Sequence, residues 1–378
     1  MKDWVKFLDV AAINERFLEA FHNDITEVVQ SGRALLGLQT QKFEEEFAEY
    51  CHTTHCVGVA NGLDALWLTL MAKKILEGWT ENDEVIVPEH TFIATVQAVV
   101  RAGLKPILAP VSNDDYLLDV SQLTPILSSK TRAILPVHLY GKMADMNSIA
   151  TFAAQHNLFI LEDAAQAHGA QYAGHPAGDR FWQGAAAYSF YPGKNLGALG
   201  DGGAMVTNDE SLANCVRQLA NYGSSTKYHH EYMGTNSRLD ELQAAFLRHK
   251  LRSLQEDNKK RRKIARRYLT EIKNPLISLP YPTLDLSQKL ESVFHIFPIF
   301  SQHRTRLQEH LQEGYIETLI HYPIPIHKQQ CIRHFWRDEN DFLTAEQLAN
   351  EELSLPISPV LSDEHVTRVI RALNTFEL

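Results

Sequence analysis

SFYPGKNLGALGDGG, residues 189 to 203, is the stretch that decides how this chain is read. It follows an apolar run ending at Phe190 and sets Lys194 among Gly193, Gly197, Gly200, Gly202 and Gly203. Glycines let a backbone take positive φ and approach a ligand closely, so a lysine here can be presented to a bound group. By itself the pattern is also that of a tight turn with a solvated lysine. Two upstream segments give it chemistry. LFILED, residues 158 to 163, reads as a strand running into Asp163 and then AAQAHG. An acid at the carboxyl end of a sheet strand lies where open α/β sheets bind ligands, although such an Asp can equally cap a helix. VGVANGLDALWLTL, residues 57 to 70, carries a strand through Asn61 and Gly62 into a helix. The unpaired N–H groups of that helix start, with Gly62 and Leu63 as natural donors, suit a phosphate. Ser189 can add a hydroxyl, and an ordinary capped loop is the competing reading.

A lysine amine to bind an aldehyde, with an acid to keep a pyridine nitrogen protonated, is the pair that pyridoxal phosphate (PLP) chemistry requires. The rest of the chain fits a soluble α/β enzyme. At 378 residues it is long enough for two domains, and 44% hydrophobic with 22% charged residues is ordinary for a globular protein. Its 36 basic and 46 acidic residues give a net charge of -10, which disfavours nucleic acid and anionic membrane as partners. Four cysteines without a CxxC pair, no secretion signal and no long apolar stretch point to a reducing cytosol and no membrane.

Short apolar runs alternate with helical periods from residue 55 to 208, which predicts a sheet flanked by helices. Strands are expected at 55–59, 84–88, 106–111, 132–138, 158–162, 185–190 and 203–208, and helices at 64–76, 92–102 and 146–156. From residue 237 helical spacing persists for over thirty residues without Gly or Pro, predicting one long helix. The proline-punctuated stretch 274–282 marks a boundary, giving a large domain 1–272 and a smaller α/β domain 273–378. In the latter VFHIFPIF reads as a strand, with helices at RTRLQEHLQEGY and DEHVTRVIRALNTF.

Some signals do not carry function. CHTTHC, residues 51 to 56, has the wrong spacing for four tetrahedral ligands, so no metal is expected. KKRRKIARR, residues 259 to 267, reads as the solvated face of the long helix rather than a nucleic-acid stripe. GALGDGG neither matches GxGxxG nor opens a helix, which excludes a Rossmann reading.

Seven segments in order resemble the DegT/StrS-type nucleotide-sugar aminotransferases, a branch of the fold type I PLP enzymes, from about Ile25 to the C-terminus. They are LLGLQTQKFEEEFAEY, VANGLDAL, VPEHTFIAT, PVHLYG, EDAAQAHGA, SFYPGKNLGALGDGG and GTNSRLDELQAA. The resemblance implies a mixed seven-stranded sheet between helices in the large domain, PLP as cofactor, and a homodimer with shared active sites. It implies that Lys194 bonds the cofactor aldehyde, Asp163 pairs with the ring nitrogen, Gln166 bonds the ring hydroxyl and Phe92 stacks on the ring. Ser189, Gly62 and Leu63 would hold the phosphate, and Asn236 would reach the phosphate in the neighbouring subunit. Position 63 departs from the threonine of many relatives, so only its backbone N–H is carried over.

The expected reaction is transfer of an amino group, with glutamate as donor, to a keto group on a nucleotide-linked deoxysugar in deoxyamino-sugar glycan biosynthesis. Closest similarity is to the branch acting at carbon 3 of a dTDP-linked 6-deoxyhexose, whose loop before the long helix carries residues like Lys227, Tyr228 and Tyr232. Tyr191 is placed to orient the sugar. His321, Tyr322 and His327 of IHYPIPIHK are further substrate candidates, each of which can equally be a surface or core residue. Rival readings are a carbon-4 aminotransferase, a sugar dehydratase, which would carry histidine in place of Lys194, and a PLP-binding regulatory module.

Overall fold

The computed structural model describes residues 3–282, 290–336 and 342–378. The seven strands expected from the sequence form one sheet: β1 His55–Val59, β2 Glu84–Pro88, β3 Lys105–Ala109, β4 Thr131–Ile134, β5 Phe159–Asp163, β6 Ala185–Ser189 and β7 Gly203–Thr207. Their order is β1-β7-β6-β5-β4-β2-β3. Strands β3, β2, β4, β5 and β6 are parallel, and β7 runs antiparallel to both β6 and β1. The sheet is therefore mixed, and β1 points the same way as the parallel set. Val85, Ile86, Val87, Ala133, Ile134, Leu161 and Ala185 are fully buried, as expected for strands covered by helices on both faces.

This topology brings the carboxyl ends of β1, β2, β5 and β6 to one edge. The helices Gly62–Glu77 and Ile93–Arg101 start there, immediately after β1 and β2. Buried Phe190 packs edge-on against Phe43 and Phe47, with ring centroids 5.3 Å away in each case, and so anchors the chain just before the glycine-rich turn. The turn is closed by Lys194 N–H to Tyr191 O at 2.8 Å and Ala198 N–H to Phe190 O at 2.7 Å. A side chain at Gly197 would lie 2.3 Å from the Pro192 carbonyl oxygen, so this crossing admits only glycine.

The long helix is Glu241–Glu271, and its first residue explains much of the RLDELQAA segment. Buried Glu241 accepts the N–H groups of Gly37, Gln39 and Thr40 at 2.9, 2.8 and 2.8 Å, supplying the missing acceptors at the start of the helix Leu38–Tyr50.

The basic run on this helix is a solvated face only in part: Lys259, Lys260, Lys263 and Arg266 are exposed as expected, whereas Arg261 and Arg262 turn inward, which corrects the expectation for those two. Arg261 is 2% exposed and donates to the Ile357 carbonyl at 2.9 Å, while Arg262 donates to Ser292 O at 2.9 Å. Ile264, Ala265 and Tyr268 enter a second hydrophobic cluster with Phe297, Ile299, Leu353, Leu355 and Val366. Long cationic stems pack on apolar surface while their heads find carbonyls, and a charge count alone does not reveal this. The second cluster surrounds an antiparallel pair, β8 Phe297–Phe300 with β9 Glu352–Leu355, flanked by the helices Arg304–Glu313 and Asp363–Asn374. Val5, near the N-terminus, joins the same cluster and bridges to Ile316.

No helix among the described residues is long and apolar enough to cross a membrane. Among them no group of His, Cys, Asp and Glu could hold a metal ion. Cys51 and Cys56 of CHTTHC are buried free thiols, and His52 bonds Asp179 instead.

Candidate active site

The edge where the strands end opens into a cavity of about 1160 Å³. Gly62, Leu63, Phe92, Asp163, Gln166, Ser189, Tyr191, Lys194, His321 and Tyr322 all line it. Residues from five distant stretches of chain thus meet. Three groups of sequence candidates lie elsewhere. Asn236 is exposed and outside this cavity, its backbone bridged to Asn221. Lys227 and Tyr228 connect the exposed hairpin strands Ser224–Thr226 and His229–His230, and Tyr232 follows them, all away from the cavity walls. His327 bonds Glu346 through Nε2 at 3.1 Å and packs on Phe342.

Lys194 is half-buried, and its Nζ makes no hydrogen bond or ion pair among the described residues. Burial lowers its amine to about 8, with Asp163 opposing the shift. A substantial neutral fraction is therefore available near neutral pH, which a nucleophilic amine needs. Asp163, 6% exposed, accepts from Thr95 Oγ1 at 2.7 Å and from the Ala165 N–H at 3.2 Å. Burial raises its carboxyl above the usual range, against the pull of those hydrogen bonds and of Lys194. A cation beside this acid would restore its ionised form.

Gln166 is held by the Tyr140 N–H, which donates to its Oε1 at 2.6 Å. Its amide nitrogen donates to the Tyr322 hydroxyl at 3.1 Å, and the second amide hydrogen is left for a ligand. The Phe92 ring is 49% exposed and lies 5.2 Å from that of Tyr322, so one aromatic face is open to the cavity. At the start of the 62–77 helix, Asn61 Oδ1 accepts the Asp64 N–H at 2.8 Å and Asn61 O accepts that of Ala65 at 3.1 Å. The N–H groups of Gly62 and Leu63 remain as the first donors of the helix. A Cβ on Gly62 would come within 2.6 Å of the Ser189 Cβ, so the bare backbone and the Ser189 hydroxyl form one cradle.

These features fit pyridoxal phosphate: an anion cradle at a helix start, an open aromatic face, a buried acid and an unpaired amine. When bound, PLP supplies an electron sink for charge developing on the substrate carbon that carries the nitrogen. Placed as they are, Asp163 would hold a proton at the ring nitrogen, Gln166 would orient the ring and Lys194 would move protons.

Sequence reasoning missed several residues of the cavity. Thr91 lines it, and Thr95, four residues on and fully buried behind the wall against Asp163, has its hydroxyl 2.7 Å from that of Thr91; an i, i+4 threonine pair beside an expected ligand loop is a readable signal. Trp4, Phe7 and Leu8 also line the cavity, with the Phe7 ring stacked on His321 at 5.9 Å and its N–H bonded to Glu317 at 2.9 Å. Trp4 and Phe7 meet residues some 310 positions away and Leu8 approaches Gly193, 185 positions away, which no local pattern announces.

A mixed seven-stranded sheet with this lysine, acid and anion cradle at its carboxyl edge defines a fold type I, PLP-dependent aminotransferase. Comparison with known proteins gives the same class. Residues 16–374 match the DegT/DnrJ/EryC1/StrS aminotransferase family, and the chain belongs to it. The match begins nine residues before Ile25, from which the sequence resemblance runs. The dTDP-3-amino-3,6-dideoxy-alpha-D-galactopyranose transaminase of Aneurinibacillus thermoaerophilus is 47% identical over 372 residues, covering 98% of this chain and 99% of that one. The erythromycin biosynthesis sensory transduction protein EryC1 of Saccharopolyspora erythraea is 46% identical, with 98% of each chain covered. The crystal structure of DesV from S. venezuelae, in complex with a ketimine intermediate, superposes with a TM-score of 0.93 at 44% identity, covering 99% of this chain and 98% of that one.

Proposed function

We propose that this aminotransferase moves the amino group of L-glutamate to carbon 3 of a dTDP-linked 3-keto-6-deoxyhexose, forming a dTDP-3-amino-3,6-dideoxyhexose. The observation that carries this reading is the 47% identity, over nearly the whole of both chains, to a transaminase named for such a sugar. The cavity supports it physically, because about 1160 Å³ exceeds the upper end of ordinary ligand pockets, roughly 1,000 Å³, and leaves room beside the cofactor for a sugar.

In this reading Lys194 bonds the cofactor and shuttles the proton, and Asp163, Gln166 and Phe92 hold the ring. Ser189, Gly62 and Leu63 hold the phosphate, while Tyr191, His321 and Tyr322 face the sugar. Asn236, with Lys227, Tyr228 and Tyr232, serves the site of a second subunit in a cytosolic homodimer. Their exposure and distance from their own chain's cavity are in keeping with that role. A role for His327 at the sugar has less support, since its Nε2 is already paired with Glu346. The regulatory reading loses support with the engagement of Arg261 and Arg262 in the small domain, since those residues are not free to meet DNA.

The test is to incubate purified protein with glutamate and a panel of dTDP- and UDP-linked 3-keto and 4-keto sugars, reading products by mass. The proposal expects fastest amination of a dTDP-3-keto-6-deoxyhexose. Faster amination of a dTDP-4-keto-6-deoxyhexose at carbon 4, without prior isomerisation, would overturn the regiochemistry.

A further inference from the structure

His321 is held at every polar atom but one. Its backbone N–H donates to Glu352 Oε2 at 2.5 Å, and its carbonyl accepts from the Tyr140 hydroxyl at 2.7 Å. Its Nδ1 lies 2.8 Å from Ser354 Oγ, and Ser354 Oγ is in turn in short contact with Glu352 Oε1. Register between the two segments is fixed by the Leu319–Ser354 bridge. Phe7 covers one face of the ring. Nε2 is thus the one polar atom of His321 with no hydrogen bond among the described residues, in a side chain that lines the Lys194 cavity. Glu352 is fully buried on β9 without a basic partner in bonding range among the described residues, which is an expensive arrangement unless the carboxyl has work to do.

A serine hydroxyl has one hydrogen. If Glu352 is ionised, Ser354 must donate to it, so His321 Nδ1 must carry a hydrogen to donate to Ser354, and Nε2 is a bare lone pair. If Glu352 holds a proton on Oε1, it donates to Ser354, the serine hydrogen turns to Nδ1, and the histidine's own hydrogen sits on Nε2.

We propose that Glu352, Ser354 and His321 form a proton relay opening into the active site, in which one proton on Glu352 decides whether His321 presents Nε2–H or a lone pair to the substrate. The ring stays neutral in both states. A proton leaving Nε2 for a ligand oxygen is replaced at Nδ1 from Ser354, which takes one from Glu352. Three N–H or O–H bonds break and three form, leaving a carboxylate at Glu352. In its protonated state the relay offers a donor suited to a keto or hydroxyl oxygen of the sugar, so its use in catalysis rests on the sugar reading above.

The surroundings support this assignment. Burial lifts the Glu352 carboxyl to about 8, the hydrogen bonds from Ser354 and the His321 N–H and the charge of Arg304 only partly opposing it. Tyr140 and Tyr322 also face it, both neutral because burial raises their phenols far above the usual range. Burial and the Lys194 charge hold His321 at about 4, and burial, with the charges of Lys194 and Arg261, holds His295 well below the usual histidine range. The relay is therefore loaded below about pH 8 and empty above it.

The test uses holoenzyme carrying ¹⁵N-labelled histidine imidazoles, with the His321 signals assigned by their loss in His321→Gln. Nitrogen shifts then give the tautomer. Wild type is expected to hold Nε2–H at neutral pH and to convert to Nδ1–H as the pH rises through about 8. Glu352→Gln should stay Nε2–H throughout, because its amide copies the protonated acid. Ser354→Ala should lose the conversion. A single tautomer in wild type at all pH values, or a conversion that survives Ser354→Ala, overturns the relay, and wild type alone decides if the Gln variant does not fold. This arm needs no substrate, so its failure is distinct from failure of the sugar reading. In turnover, KM for the keto sugar should rise by roughly tenfold above the transition in wild type, as for one lost hydrogen bond, while KM for glutamate changes little. A sugar KM flat across that pH range overturns the substrate-facing role.

Discussion

Replacing Asp163 by Asn should leave a folded protein that still takes up cofactor but turns over slowly. The side chain is isosteric and its surroundings can adapt. Asp163 Oδ2 now accepts from Thr95, which in turn lies 2.7 Å from the Thr91 hydroxyl. With an amide nitrogen at that position, both hydroxyls can reverse direction and Oδ1 keeps the Ala165 N–H, so no buried polar group is orphaned. What disappears is the charge that, in the proposed reading, holds a proton at the cofactor's ring nitrogen. Breaking a buried charge pair from one side costs about 3–5 kcal/mol, and at about 1.4 kcal/mol per tenfold this is a loss of roughly a hundred- to several-thousand-fold if it falls on the transition state. Single-turnover conversion of the holoenzyme by glutamate, followed by cofactor absorbance, isolates the step. Thr95→Val should lose less, of order tenfold to a hundredfold, because it removes one hydrogen bond to a charged group worth about 1.5–3 kcal/mol. An Asn variant within threefold of wild type would mean that Asp163 only supports the fold.

Further expectations concern loading, stability and assembly. Because burial lowers the Lys194 amine to about 8 and only the neutral amine attacks an aldehyde, loading of apoenzyme with PLP should quicken as pH rises and level off above that value. A rate still climbing tenfold per unit well above about pH 9 would indicate an ordinary surface lysine with a pKa near 10.4. Glu241→Ala strands three backbone donors at the start of the 38–50 helix, each worth about 1 kcal/mol or more, and should lower the urea unfolding free energy by at least roughly 3 kcal/mol. An unchanged midpoint and slope would contradict the capping role. If Asn236 serves the partner's site, equilibrated mixtures of inactive Lys194→Ala and Asn236→Ala chains should regain about a quarter of wild-type activity, one sound site in each mixed dimer. No recovery from two dead parents would remove Asn236 from the neighbouring site.

The seven-stranded sheet was legible because its strands are short apolar runs, several of them rich in Val or Ile and closed by glycine or proline, with ligand loops where such runs end. The expected helix over 146–156 is the observed Met146–His156, capped by Asp145. Legibility failed where burial contradicts local pattern. Strand β9 follows the helix Leu343–Glu351 with no intervening turn residue and begins with a fully buried glutamate, so neither punctuation nor alternation marks it. Its two polar side chains, Glu352 and Ser354, act through His321, which a sequence pairs with nothing. Arg261 and Arg262 misled for the same reason: cations that dock on carbonyls look identical in sequence to their exposed neighbours Lys259, Lys260, Lys263 and Arg266. Phe7 and Leu8 gain meaning only from the folded chain, since a Cβ on Gly193, beside Lys194, would lie 3.4 Å from Leu8.

The central claim is that Lys194 carries the cofactor, and reduction of the holoenzyme with borohydride tests it most directly. Digestion and mass mapping should place the pyridoxyl adduct on the peptide containing SFYPGKNLGALGDGG, at Lys194, and Lys194→Ala should yield none. An adduct on another lysine, or one that persists in Lys194→Ala, would contradict the account.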